Sequence, residues 1–143
     1  MRVIVDTNVV LDVLLAREPF APAAVKLFAL AEKSRIEACL CATTITTVDY
    51  LLSQTLPNKK AREAVRGLLA IFDVALVNRS VLERALAYRM KDFEDAVLAE
   101  AGILAGARII VTRNTRDFSL APLPVLTPQE FLVQFDKEQE APT

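Results

Sequence analysis

Three acidic positions in this chain fall where a folded α/β protein gathers its chemistry. Asp6 directly follows the apolar run Val3-Ile4-Val5. Asp117 comes shortly after a second such run, ending at Val111, with Thr112 and Asn114 in between. Asp95, with Asp92 and Glu94, opens the helical segment that leads into that second run. If both runs are strands of a doubly wound sheet, ligands bind beyond their carboxyl ends, and all three acidic groups lie at or near such positions. The chain has no histidine, which excludes Ser-His-Asp and Cys-His catalysis, histidine acid–base chemistry and histidine-held zinc. Converging carboxylates without imidazole suit a hard, oxygen-preferring ion such as Mg²⁺ or Mn²⁺. One such ion, or two roughly 4 Å apart, can activate water and neutralise the charge of a developing phosphorane.

Taken singly, each acidic group has a plainer explanation. Aspartate, threonine and asparagine are all good helix caps, so Asp6 can simply start the next helix. Acids such as Asp92, Glu94 and Asp95 are favoured at a helix N-terminus by the macrodipole. Asp117 lies in a polar loop, where aspartate is ordinary. Only the three together point to metal chemistry.

The elements that must position these groups can be read from hydrophobic period and punctuation. Val3-Ile4-Val5 reads as a strand buried on both faces, followed by a helix over Val9 to Ala16. Pro19 and Pro22 break that helix, and Ala23 to Lys33 resumes helical spacing. Ile36 to Cys41 is a second strand, Thr43 to Ser53 a helix, and Lys59 to Phe72 the clearest amphipathic helix. Val74 to Val77 is a third strand, and Ser80 is expected to cap a helix running to about Met90. Phe93 to Leu104 is a helix and Arg108 to Val111 the fourth strand. Leu123 to Leu126 is a further strand, confined by Pro124 to the sheet edge. Thr127-Pro128 starts a last helix through about Phe135. Strands alternating with helices imply an α/β fold, a three-layer α/β/α sandwich on a short, mostly parallel sheet. The expected organisation is one domain over residues 1–135 and a polar C-terminal tail over 136–143.

Composition agrees with a compact protein: 143 residues, 53% hydrophobic, with only three glycines. The net charge of −1 offers no overall attraction for nucleic acid, which counts against a passive binding module. It counts less against a nuclease, because divalent ions supply positive charge at the site itself. Cys39 and Cys41, two apart on a strand, point to one face and are expected to be reduced. The N-terminus is too short in its apolar run for a signal peptide and no stretch is long enough to span a membrane, so the expected compartment is the cytosol.

At this point the residues resemble a known family. Val5-Asp6-Thr7-Asn8-Val9 resembles the opening motif of the PIN domain, Asp95-Ala96 its third acidic position, and Thr112-Arg113-Asn114 with Asp117-Phe118 its closing block. Leu11 to Phe20, Asp92 to Ala96 and Thr112 to Phe118 most resemble one PIN subgroup of toxins, related to the VapC-type toxin ribonucleases of toxin–antitoxin pairs. The likeness runs from Val3 to Phe131, and it is the ordered set of motifs that carries it.

The resemblance implies Mg²⁺- or Mn²⁺-dependent cleavage of RNA by water attack. Transferred residue by residue, Asp6, Asp95 and Asp117 would ligate metal, Thr112 and Asn114 would orient water or phosphate, and Asn8 would brace Asp6, with Thr7 a weaker aid. At the family's second acidic position, usually glutamate, this chain has Asp49, preceded by Thr43 and Thr46 at the family's spacing. Aspartate is one methylene shorter than glutamate, and the resemblance implies Asp49 as a further candidate metal ligand. Asn114 stands where many relatives have aspartate, so the site would hold metal less tightly. Arg113, Arg116, Lys91 and Arg89 are candidates to grip RNA or, equally, solvated loop residues. The resemblance also implies a homodimer and a small antitoxin, with the Lys59 to Phe72 helix and Val9 to Leu15 as candidate interfaces that core packing explains more simply.

Two other readings stand beside this one. An aspartate after a first strand also serves phosphatases and receiver domains, but Asp6 has no adjacent acid and no lysine closely follows Val111. A catalytically weak or inactive PIN fold serving as a binding or scaffold protein is the other alternative, with Asp49 and Asn114 in its favour.

Overall fold

The computed structural model describes residues 1–140. The described chain forms five strands, β1 (Arg2–Val5), β2 (Glu37–Cys41), β3 (Asp73–Ala75), β4 (Ile109–Val111) and β5 (Val125–Leu126). Seven α-helices connect them: α1 (Thr7–Leu14), α2 (Ala21–Glu32), α3 (Ala42–Leu52), α4 (Asn58–Ile71), α5 (Arg79–Ala85), α6 (Phe93–Leu104) and α7 (Pro128–Glu140). A 3₁₀ turn, Thr115–Phe118, follows β4. All strand pairs are parallel, in the order β3-β2-β1-β4-β5.

The strands are short and apolar because both faces are covered. Val3 and Val5 point into one layer, with Val9 and Val10 of α1, Leu27 of α2, Val48 of α3, Leu68 of α4 and Phe131 of α7. Ile4, Cys39, Cys41 and Ile110 point the other way, onto α5, α6 and Phe118. The two layers and the sheet between them make the expected three-layer α/β/α sandwich. Both cysteines are free and buried, and burial pushes the Cys39 thiol up to about 11. Val9, Val10 and Leu11 belong to the core, as do Ala61 and Leu68 of α4, so packing explains both apolar stretches.

Four local expectations need correction. Pro22 does not break a helix but starts one, in the first turn of α2, where its missing N–H has no partner to lose. Asn78, not Ser80, caps α5: its side chain accepts from the Val81 amide at 3.0 Å. That helix stops at Ala85 rather than Met90, and Tyr88 instead hydrogen-bonds Glu100 of α6. The polar stretch from Asp136 continues α7 through Glu140, with Phe131 and Phe135 anchoring the helix in the core. Thr127 and Glu130 close its start reciprocally, at 2.9 and 3.1 Å, as a capping box. The remainder of the segment read as a tail, 141–143, lies outside the described residues.

One close approach fixes the distance between α6 and the sheet. A Cβ on Gly102 would stand 2.8 Å from Ile4 Cγ2, inside van der Waals contact with a side chain that is fully buried. Alanine gains about 1 kcal/mol in helix propensity over glycine. Overpacking a filled core loses about 1–3 kcal/mol. Gly102→Ala is therefore expected to lower unfolding free energy by up to about 2 kcal/mol in urea denaturation, and a stabilised variant would show that the contact is slack.

Candidate metal-binding cleft

The sheet order reverses at the centre: from β1 the chain moves outward to β2 and β3, then returns to place β4 on β1's other side. The gap beyond the carboxyl ends of β1 and β4 is thus the topological switch point, where doubly wound sheets bind ligands. Asp6 is the first residue past β1, and its amide donates to the Val111 carbonyl at 2.9 Å. Thr112 is the first residue past β4. The two ends are joined side chain to side chain, Thr112 Oγ1 donating to Asp6 Oδ2 at 2.8 Å.

Asp6 does two structural jobs while presenting its carboxylate. Its Oδ1 accepts from the Thr7 amide at 2.8 Å, capping α1, and its Oδ2 holds Thr112. Burial raises its pKa, opposed by the Thr112 and Thr7 hydrogen bonds and reinforced by the charges of Glu94 and Asp117. Thr112 is fully buried. Its hydroxyl also receives the Asn114 amide at 3.1 Å and Asn8 Nδ2 at 3.4 Å, so it serves Asp6 rather than facing a ligand. Asn8 accordingly braces Asp6 at one remove, through Thr112, while its Oδ1 takes the Arg113 amide at 3.2 Å.

A cleft of about 380 Å³ opens here, lined by Asp6, Asn8, Asp92, Glu94, Asp95, Asn114 and Asp117 together with Thr7, Leu11, Arg17, Leu98 and Arg113. Asp92 caps α6 by accepting from the Asp95 amide at 3.0 Å, which turns Glu94 and Asp95 of the first helical turn toward the opening. Burial, then the charges of Asp6, Asp92, Asp117 and Glu94, push the Asp95 carboxyl up to about 7. A half-buried acid among four like charges is a strained arrangement without a cation. A larger groove, about 830 Å³ between α2 and α7, is lined by Lys26, Lys137, Glu130 and Asp136 among uncharged side chains, and has no such concentration of one sign.

Asp49 does not join the cleft. It sits on the side of α3 that faces α4, where Arg62 of α4 donates to it at 2.9 Å. What α3 turns toward the site is hydroxyls: Thr44 meets Thr7 at 3.0 Å and Thr47 meets Glu94 at 3.3 Å. The further acids of the cleft wall are Asp92 and Glu94, from the same helix start as Asp95. Thr43 and Thr46 are spent locally, on Cys41 and on the Thr43 carbonyl.

The cations divide as well. Arg113 is drawn inward onto buried Asp12, so it is not a free grip for substrate. Lys91 lines a small recess with Asp92, Asp95 and Asp117, at the rim of the acids. Arg89 and Arg116 are exposed and make no ion pair among the described residues.

The donor set fits a hard divalent ion: carboxylate and amide oxygens, no thiol, and an excess of negative charge that opposite charge would relieve. Among the described residues no three acids or thiols are drawn together tightly enough to hold an ion as they stand.

A family model for the PIN domain matches residues 2–116, most of the chain and nearly all of the cleft. The chain belongs to the PIN-domain family. Solved structures agree in fold. This PIN domain is similar to a chain of VapBC2 from Rickettsia felis, bound to a DNA fragment from its promoter, with TM-score 0.68, 14% identity, and 88% of this chain and 97% of that one covered. It is similar to a chain of a toxin–antitoxin complex from Klebsiella pneumoniae, with TM-score 0.67, 23% identity and coverage of 88% and 97%. It is also similar to VapC20 of Mycobacterium tuberculosis, a sarcin-ricin loop cleaving toxin, with TM-score 0.61, 17% identity and coverage of 76% and 86%. No curated protein matches the chain in sequence. No helix among the described residues is long and apolar enough to cross a membrane.

Proposed function

We propose that this PIN domain is a Mg²⁺- or Mn²⁺-dependent endoribonuclease and the toxin of a toxin–antitoxin pair. The observation that carries the reading is the meeting of Asp6, Asp95 and Asp117 in one cleft at the sheet's switch point, with the Asp95 carboxyl pushed up to about 7 by burial and like charge. Likeness to the toxin–antitoxin complex and to the sarcin-ricin loop cleaving toxin supports it. A receiver-type sheet sets its third strand beside the first, whereas here β4 takes that place, which speaks against the phosphoacceptor alternative.

In this reading Asp6, Asp95 and Asp117 hold the ion, and Glu94 takes the place in the cleft expected of Asp49. When bound, the ion supplies a water of lowered pKa and charge stabilisation for an in-line displacement at phosphorus. Thr112 keeps the Asp6 carboxylate aimed while Asn8 keeps Thr112 in place. Asn114, neutral and exposed, orients a water or a phosphate oxygen. Lys91, Arg116 and Arg89 draw the RNA backbone toward an otherwise acidic opening, an attraction that weakens with salt. A small antitoxin and a homodimer complete the proposal.

The test is cleavage of a mixed RNA pool by purified protein with Mn²⁺ and with EDTA, alongside calorimetric titration of Mn²⁺. Cleavage that requires Mn²⁺ is the expected result. Clean protein that neither cleaves nor binds Mn²⁺ would leave a PIN-fold binding protein in place of the enzyme.

A further inference from the structure

Asp12, on α1, is the least exposed carboxylate among the described residues, at 1%, and lies outside the acidic set of the cleft. Arg113 donates to both of its oxygens, Nε to Oδ2 at 2.8 Å and a terminal nitrogen to Oδ1 at 3.2 Å. Arg17 Nε stands 3.0 Å from Oδ1 without the alignment of a hydrogen bond. The Arg113 guanidinium also lies over the Phe20 ring, 4.1 Å from its centroid. The side chain is thus held on two sides. Its backbone lies between Thr112, which holds Asp6, and Asn114, which lines the cleft, and its own amide is bonded to Asn8.

We propose that Asp12, acting through Arg113, is a positioning residue that locks the turn after β4, so that Thr112 stays on Asp6 and Asn114 stays at the cleft. The physical reason lies in the kind of contact. A buried ion pair is a poor source of net stability, because desolvation offsets its attraction. A two-pronged guanidinium–carboxylate pair is, however, stiff and directional, which lysine cannot reproduce. Only three residues separate β4 from the 3₁₀ turn, and of these Arg113 is the charged one, its side chain reaching Asp12 on α1. The anchor therefore sets the register of Thr112 and Asn114 relative to Asp6.

The test uses Arg113→Lys, which keeps the charge and loses the fork, beside Asp12→Asn, which keeps the size and loses the charge. The first readout is amide hydrogen exchange in metal-free protein, which does not depend on the metal reading. The amides at positions 113 and 114 are expected to exchange at least about tenfold faster in Arg113→Lys, with those of Ile4 and Ile110 unchanged. Unchanged exchange at 113 and 114, or equal acceleration throughout the sheet, overturns the proposal. The second readout rests on the proposed function: Mn²⁺ affinity of the folded variants is expected to fall about tenfold or more. Lower thermal stability with unaltered Mn²⁺ affinity would mark Asp12 as merely structural and overturn it too. A wild type that binds no Mn²⁺ overturns the metal reading alone, and the exchange pattern still decides the role of Asp12.

Discussion

Asp95→Asn is expected to make the metal-free protein more stable at pH 8 while sharply lowering Mn²⁺-dependent cleavage. The Asp95 carboxyl is pushed from the ordinary aspartate value of 3.8 up to about 7, first by burial and then by Asp6, Asp92, Asp117 and Glu94. The folded state therefore keeps a proton that the unfolded chain has already lost between those two pH values. Stability is full below the lower value, declines as pH rises through the window, and reaches its reduced level above pH 7. The side chain is about half buried, so with solvent screening the loss is about 1–2 kcal/mol. Asparagine carries no charge to repel and leaves the cap intact, because Asp92 accepts from the backbone amide of residue 95. The variant should melt about 3–6 °C higher at pH 8 and no differently at pH 4, as followed by circular dichroism. Added Mn²⁺ should raise the melting point of the wild type alone. A variant that melts lower at pH 8 would mean that Asp95 is held by a favourable contact rather than crowded by like charges.

Asp6→Asn should reduce cleavage further than any other change in the cleft. Asp6 alone combines a place at the β1 end, the cap of α1 and the bond to Thr112. Asparagine can still cap through its carbonyl oxygen, so the fold should survive with a loss of about 1 kcal/mol or less. The amide then faces Thr112 Oγ1, which already receives two N–H donors, and the negative charge at the switch point is gone. Loss of several kcal/mol of transition-state stabilisation corresponds to a rate at least about a thousandfold lower. Single-turnover cleavage of a fluorescent RNA, at saturating Mn²⁺, measures it. Cleavage within tenfold of wild type would place the reacting centre elsewhere.

The order of strands and helices and the acids at their ends were legible in the sequence because they depend on short-range rules. Apolar runs announce buried strands. Asp6 and the Asp92–Asp95 cluster announce helix starts, whose caps the structure realises at 2.8 and 3.0 Å. Covering both faces of a parallel sheet then leaves few arrangements, and strand ends become the place for a site. Element ends were less legible. Asn78 won the cap over Ser80, and α7 ran beyond Phe135, because caps and frayed turns are decided by contacts that neighbouring letters do not reveal.

Which side chains reach the cleft was settled by packing. Asp49 has the family's spacing, yet the rotation of α3 against α4 gives it to Arg62 and turns Thr44 and Thr47 inward instead. Glu94 reads in sequence as a macrodipole acid, and only the Asp92 cap beside Asp6 makes it part of the cleft wall. Asp12 lies in a stretch that marks the family but assigns it no role, and its partner Arg113 stands 101 residues further along. A sequence displays the residue types and the periods of its elements, which are local properties of the chain. The rotation of each helix and the pairing of distant charges arise from burying all the apolar faces at once, so they exist only in the folded molecule.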